Sequence, residues 1–421
     1  MSDQSESGPV LAADGTPLKV SLNKALRRQK LSALLLIAPL LLFVLLTFIF
    51  PIVDMLFRSV ENDIVSNTIP RTVIALQDWD ASTGEAPSEQ VFAALYEDLQ
   101  ISVAAKTHSR LGSRLNYEKT GMSSLFRKTG RRIKLMDETV PFMEQFVDIN
   151  EDWADVEVWG TIKTYSSKYT AGYFLTAVDR SLTHEGIQER PEKEQIYLKL
   201  FWRTMVLSVT ITGSCLLLGY PVAWILANLP MRTANMLMIL VLLPFWTSLL
   251  VRTSAWKVLL QDQGVINNLL VAIGIIDDAN RLALINNATG TIIAMTHILL
   301  PFMILPLYSV MKTIPQNYTR AAKSLGATDW TAFWRVYFPQ SVPGIGAGAI
   351  LVFILAIGYY ITPELVGGTS GIFISNRIAY HISSSLNWGL GAALGTILLV
   401  LVLALYWVYD TLVGIDNVKL G

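Results

Sequence analysis

Charge is scarce in this chain. Of its 421 residues only 16% are Asp, Glu, Lys or Arg, against 52% hydrophobic, and the mean hydropathy is +0.44. A soluble protein of this length carries more charge, so the composition points to the bilayer. The 33 basic and 33 acidic residues cancel, no basic region has a nucleic-acid motif around it, and no nucleic-acid partner is expected. The single cysteine, Cys215, falls inside an apolar run; an intrachain disulfide is excluded, and the thiol reads as a small packing group. No Gly-Lys pair occurs anywhere, so the phosphate loop Gly-x-x-x-x-Gly-Lys-Ser/Thr of an ATPase is missing. Histidines stand only at 108, 184, 297 and 381, too scattered for a metal set. With no nucleophile elbow and no carboxylate pair in the apolar runs, the chain reads as a non-enzyme that binds no cofactor or metal of its own.

What is abundant is long apolar sequence. Six runs reach the roughly 20 residues needed to cross a bilayer: Leu31–Val53, Phe201–Leu226, Ala234–Val258, Gly290–Met311, Gly344–Val366 and Leu390–Val413. Pro39, Pro221, Pro244, Pro301 and Pro306 lie inside them, which neighbouring helices tolerate by covering the freed backbone groups. The first run is too long for a signal peptide, and Phe50-Pro51-Ile52-Val53-Asp54 has no small-residue cleavage site, so a retained anchor is expected. Lys24, Arg27, Arg28 and Lys30 precede it and put the N-terminus in the cytoplasm. Six crossings return the C-terminus there, and the loop between runs four and five, with Lys312, Arg320, Lys323 and Arg335, agrees.

The expected organisation is a cytoplasmic tail (1–30), a first transmembrane helix (31–53), an external insertion (54–199), a five-helix membrane core (200–413) and a cytoplasmic tail (414–421). The insertion is polar and long enough to fold by itself. It holds a basic stretch from Lys106 to Lys134 and an acidic one from Asp137 to Glu157. These are read either as solvated faces that partly neutralise each other or as a docking surface.

From Pro315 the chain reads as two short helices around Gly326, a residue suited to the left-handed helix stop. Thr328 caps the second helix, with Asp329 in its first turn. Trp330, Phe333, Trp334 and Tyr337 fall at i, i+3, i+4 and i+7 on one face, and Pro339 is expected to end the helix. Such a face suits a protein groove or lipid headgroups.

Ala321-Ala322-Lys323-Ser324-Leu325-Gly326, nine residues, then Val336-Tyr337-Phe338-Pro339 resembles the coupling-loop signature of binding-protein-dependent ABC importers. Arg320 stands where that signature usually has glutamate. Leu218-Gly219-Tyr220-Pro221-Val222-Ala223-Trp224, the stretch Pro244 to Arg252, Leu299-Leu300-Pro301-Phe302-Met303 and Pro306-Leu307-Tyr308-Ser309 are similar to the spermidine/putrescine permease branch. The resemblance implies an all-α integral membrane protein with the type I importer permease fold, in the bacterial inner membrane. It also implies a second permease subunit, two ATPase subunits that carry ATP and Mg and dock on the coupling loop (315–340), and a periplasmic binding protein.

Trp246, His297, Tyr359, Tyr360 and Glu364 are the candidates for the translocation path. Polar groups in spans are expensive and mark pathways, although a hydrogen bond to a neighbouring helix is the favoured explanation of His297. Glu364 beside Tyr359 and Tyr360 offers the carboxylate and aromatic faces that a polyamine needs. An opine or other amino-acid derivative is the alternative cargo. A secondary transporter would show intramembrane acidic pairs, and a receptor would have an output domain after Val413; the sequence has neither. The pairs Gly344/Gly348 and Gly391/Gly395 have the spacing for close helix packing.

Overall fold

The computed structural model describes residues 18–413; most of the N-terminal tail and the C-terminal tail 414–421 lie outside the described residues. Among these, five helices are long and apolar enough to cross a membrane, and a bent pair makes a sixth. They are span 1 (Leu26–Arg58), span 2 (Tyr197–Asn228), the bent pair Met231–Trp246 with Leu249–Leu259, span 4 (Ala288–Thr313), span 5 (Asp329–Gly358) and span 6 (Trp388–Thr411).

Span 1, most of which is a unit by itself, has no buried residue in its apolar window. Its helix widens to a π-turn at Leu45–Ile49, where the Phe50 N–H reaches back to the Leu45 carbonyl. Pro51 explains this. A proline lacks the N–H and its ring collides with the carbonyl four residues back, and a wide turn relieves both. The same device recurs at Phe333–Tyr337, where the Phe338 N–H bonds Phe333 ahead of Pro339. The expected stop at Pro339 is therefore corrected: the helix begun at Asp329 runs on to Gly358 as one span.

Two other expected spans change shape. Run three is not straight; its halves meet at 94°. Pro244 opens a tight turn at Leu243–Trp246, Thr247 is extended, and the Ser248 hydroxyl caps the second half by accepting from Val251 N–H at 3.2 Å. Run five ends eight residues early, at Gly358, and a new helix starts at Ile361. In an unbroken helix the Pro363 ring would strike the Tyr359 carbonyl, and the chain opens at Tyr359–Tyr360.

Span 4 is the axis of the membrane core, packed between spans 2 and 5. The approach to span 5 is close because glycine allows it. A Cβ on Gly348 would lie 2.7 Å from Met303 Sδ and 3.1 Å from its carbonyl oxygen, and one on Gly344 3.0 Å from Val310 Cβ. Several hydroxyls within the spans are satisfied locally: Thr204, Thr212 and Thr396 donate to the carbonyls of Leu200, Ser208 and Ala392 at 2.7–2.8 Å, whereas Ser208 Oγ and Thr296 Oγ1 are buried without a partner among the described residues.

The segment between spans 1 and 2 folds as short helices plus one feature the sequence reading lacked, an antiparallel hairpin of Arg180–Thr183 and Gly186–Glu189. Its core is a chain of rings: Phe92–Trp159 at 4.8 Å, Trp159–Trp153 at 5.3 Å, and Trp153 against Phe126 and Phe146 at 5.5 and 5.3 Å. Both indoles are satisfied, Trp153 on Thr129 Oγ1 at 2.9 Å and Trp159 on the Trp153 carbonyl at 2.8 Å. The basic and acidic stretches hardly meet. Among the described residues only Lys119, with Asp155 and Glu157, bridges them.

The insertion is joined to the membrane core by a cap. The Asp179 carboxylate, 5% exposed, accepts from the backbone N–H groups of Ile196, Tyr197 and Leu198 at 2.8–3.0 Å, orphan donors at the start of span 2.

Gly348→Val is expected to destabilise the protein by about 1–3 kcal/mol through overpacking on Met303. Gly395→Val, at a site where a Cβ meets nothing within 4 Å, is the control. Unfolding midpoints of the two variants in lipid nanodiscs provide the check.

Candidate functional site: a helix with a loop at each end

Span 5 contains 30 residues, about 45 Å at 1.5 Å per residue, with the coupling loop at one end and Tyr359, Tyr360 and Glu364 at the other. At the first end stands the loop after span 4. Pro315 precedes the helix Gln316–Ser324 rather than forming its first turn. Gly326 takes φ +92°; its N–H bonds Lys323 O and the Ala327 N–H bonds Ala322 O, both at 3.0 Å, closing the helix as a Schellman stop. The Thr328 hydroxyl accepts from the Thr331 N–H at 3.3 Å, and Lys323 pairs with Asp329 across the turn.

Arg320 donates to Gln316 Oε1 at 3.1 Å on its own helix. The residue in the usual acid's place is thus turned along the helix. Ala321 and Ala322 keep its surface flat beside the turn.

The four aromatic residues do form one stripe, but not one exposed face. Trp330 meets Trp334 at 5.5 Å, Trp334 meets Phe333 at 5.3 Å, and Phe333 stacks on Tyr337 at 5.9 Å. Tyr337 is buried and Phe333 half-buried against the membrane core and Tyr220, whereas Trp330 and Trp334 are 72% and 43% exposed. Leu325, at the tip, is 89% exposed. Half the stripe anchors the loop, and the other half with Leu325 faces outward. The reading of one docking face is corrected to that extent; core packing claims whichever rings lie nearest the span. A cavity of about 550 Å³ separates the loop from the end of span 2, lined by Trp224, Asn228, Lys312 and Tyr337 among others.

At the other end the breaks collect polar groups. Asn376 Nδ2 donates to the Tyr360 carbonyl at 2.9 Å and to Glu364 Oε2 at 2.6 Å, while its Oδ1 accepts from Phe373 N–H. Ser375 Oγ donates to the Tyr359 carbonyl at 2.6 Å. Tyr359, Tyr360 and Glu364 are therefore assembled by the helix Ile374–Ser383, which sequence reasoning missed. An Asn at the start of a helix was the available signal. Glu364 itself is exposed.

His297 lies one layer away and accepts from Trp256 Nε1 at 3.1 Å, the bond to a neighbouring helix that explains it without transport. The half-span of Trp256 also touches the Glu364 helix through Thr253 and Thr362, hydroxyls 3.0 Å apart. Trp246 stands apart at the 94° break, 75% exposed. Arg252 carries the feature least expected from sequence: its Nε and Nη1 are buried without a hydrogen-bond partner among the described residues.

The model of the binding-protein-dependent transport system inner membrane component matches residues 219–413. The spermidine/putrescine transport system permease protein PotB of Escherichia coli K12 is 36% identical over 217 residues, 51% of this chain and 78% of PotB. The chain belongs to this family. Its members are inner-membrane permease components of transport systems, not enzymes. The inner membrane ABC transporter permease protein YdcU of the same organism is 30% identical over 276 residues, 62% of this chain and 86% of YdcU. A bacterial alginate ABC transporter aligns at TM-score 0.42 and 20% identity, over 53% of this chain and 81% of that one. Family membership and its spans make the permease a multi-pass inner-membrane component of a binding-protein-dependent transport system. The family model begins at Gly219, so the insertion lies outside it.

One titration in the segment between spans 5 and 6 is testable. In the helix Ile374–Ser383, His381 bonds Tyr197 Oη and Ser385 Oγ, each at 3.0 Å. Burial, reinforced by Arg377, pushes its imidazole down to about 4. The folded value lies below the ordinary one, so the neutral ring's contribution is complete above about 6.5 and is lost as pH falls from there through about 4. Unfolding midpoints are expected to drop more between pH 7 and pH 4 for the native chain than for His381→Gln.

Proposed function

We propose that the chain imports a small cationic solute of the polyamine class, delivered by a periplasmic binding protein. It pairs with a second permease subunit, and two ATPase subunits dock on the loop 315–340 and supply ATP and Mg from the cytoplasm. Both termini are cytoplasmic in this reading, which follows the basic residues before span 1. What supports it most is the continuity of span 5. A push on Leu325, Trp330 and Trp334 passes through one unbroken helix to the break that sets Tyr359, Tyr360 and Glu364. The related PotB is a spermidine/putrescine permease. Glu364 supplies a carboxylate for an ammonium, and the two tyrosines offer ring faces for methylenes and cation–π contact.

Arg252 favours a second cargo, an opine or other amino-acid derivative. A guanidinium with two unpaired buried nitrogens repels a diamine and receives a carboxylate.

The test is to purify the permease with its ATPase, second permease and binding protein in lipid, and to measure ATP hydrolysis against spermidine, putrescine and octopine. Stimulation by the polyamines alone supports the first reading, stimulation by octopine alone the second, and failure to bind an ATPase removes both.

Gly326→Val forces a β-branched residue into φ +92°, a strain of about 1–3 kcal/mol. Membrane insertion is expected to survive and co-purification with the ATPase to be lost. Glu364→Gln is expected to lower polyamine uptake at least about tenfold, the order of one charge-assisted bond; unchanged uptake removes Glu364 from the path.

A further inference from the structure

A cavity of about 590 Å³ lies outside both loop regions. It opens between the helix His108–Asn116 of the insertion, the segment Glu61–Ile64 and the turn Ser385–Gly389 that leads into span 6. That volume is typical of small-molecule sites, which run to about 300–1,000 Å³.

Its lining carries both charges, with Arg58, Arg110 and Arg114 as the cations and Glu61 and Asp63 as the anions. Ser109, Arg110, Ser113 and Arg114 follow i, i+1, i+4, i+5 and share a helix face. Arg114 is 3% exposed and held on every side: Nε donates to Asn62 Oδ1 at 3.0 Å, Nη1 to Glu118 at 2.8 Å, and the rings of Tyr165 and Tyr173 lie 4.9 and 4.6 Å away. Its Nη2 nonetheless has no hydrogen-bond partner among the described residues. A buried donor left unmade is costly. The acidic groups are Glu61, exposed and without an ion pair among the described residues, and Asp63, whose carboxylate accepts from Asn67 Nδ2 at 3.1 Å. Tyr117 and Trp388 add aromatic rings to the lining.

We propose that this cavity binds a small zwitterion of the amino-acid or ω-amino-acid class. Its carboxylate lies against Arg110 and the free nitrogen of Arg114, its ammonium against Glu61 and Asp63, and its carbon chain between Tyr117 and Trp388. A diacid would meet two carboxylates, and a diamine would meet the guanidiniums. Only a molecule carrying both charges is matched by a lining that carries both. The site shares no residue with the candidate path, so it stands whatever the path carries. It also touches the membrane core, because the Tyr117 hydroxyl donates to the Ser385 carbonyl in the turn before span 6.

Three ligands with the same five-carbon chain decide the matter: 5-aminovalerate, 1,5-diaminopentane and glutarate, titrated calorimetrically into the full chain in lipid nanodiscs. The heat that disappears in Arg110→Gln and in Glu61→Gln is assigned to this cavity. Both residues are exposed, so unchanged unfolding midpoints are expected. In that component 5-aminovalerate is expected to bind at least about tenfold more tightly than either relative, one charged contact being worth that much. Each variant should weaken it by a similar factor. The proposal is overturned by equal or tighter cavity binding of the diamine or the diacid. It is also overturned by absence of saturable 5-aminovalerate binding at millimolar concentration, or by binding that both variants leave intact.

Discussion

Span 4 is gripped between spans 2 and 5, and the rest of the membrane core is arranged around that contact. In a lipid solvent apolar side chains gain little by leaving the surroundings for each other, so helices associate through shape. Gly344 and Gly348 let the backbone of span 5 come within contact distance of Met303, Leu307 and Val310. That close seam fixes the position of span 5 along its length. Since the loop 315–340 joins spans 4 and 5 directly, the same seam fixes the loop against the base of both.

The membrane also explains where the chain is irregular. Each departure from a straight helix has a proline at or beside it and a side chain or wide turn that repairs the lost bond. Pro51 and Pro339 are preceded by π-turns, Pro244 lies in a tight turn whose exit Ser248 caps, and Pro363 is preceded by a two-residue opening that Ser375 and Asn376 fill. Unsatisfied backbone groups are not tolerated in hydrocarbon. Repairs therefore concentrate polar side chains at the breaks, and the breaks become the places with chemistry to offer.

Outside the membrane the logic reverses, and buried polar groups do the joining. Asp179 closes the start of span 2 with three bonds. Arg114, Glu118, Asn62 and Tyr165 tie the segment after span 1 to the hairpin. Burial, then the Glu118 carboxylate, holds the Tyr165 hydroxyl above its ordinary value, so it remains a donor to that carboxylate. Such a network is stable only while every member is paired, and for that reason the free nitrogen of Arg114 stands out. The exposed charges of the two stretches around it go largely unpaired with one another, so mutual neutralisation is not what shapes this surface.

How much was legible in the sequence follows from the range of each interaction. Hydropathy placed the spans, because burial in lipid depends on local composition alone. The spacing from Ala321 to Pro339 identified the loop, and Gly326 announced its turn, because a left-handed residue is a local demand. The periodicity of Trp330, Phe333, Trp334 and Tyr337 correctly put them on one stripe. It did not say that Tyr337 would be buried and Trp330 exposed, since that depends on where span 2 and Tyr220 lie. Pro339 looked like a stop because a proline costs a helix one bond; the fold spreads that cost over a wide turn. Glu364 was noticed for its charge, but Asn376, which holds it, was not, being twelve residues away and brought back only by the breaks at Gly358 and Phe373. Sequence alone determined which segments enter the membrane and which loop turns at its surface, for these are contests between a residue and its solvent. Which side chains meet at the ends of span 5, and which buried arginines lack partners, only the packing of distant helices could decide.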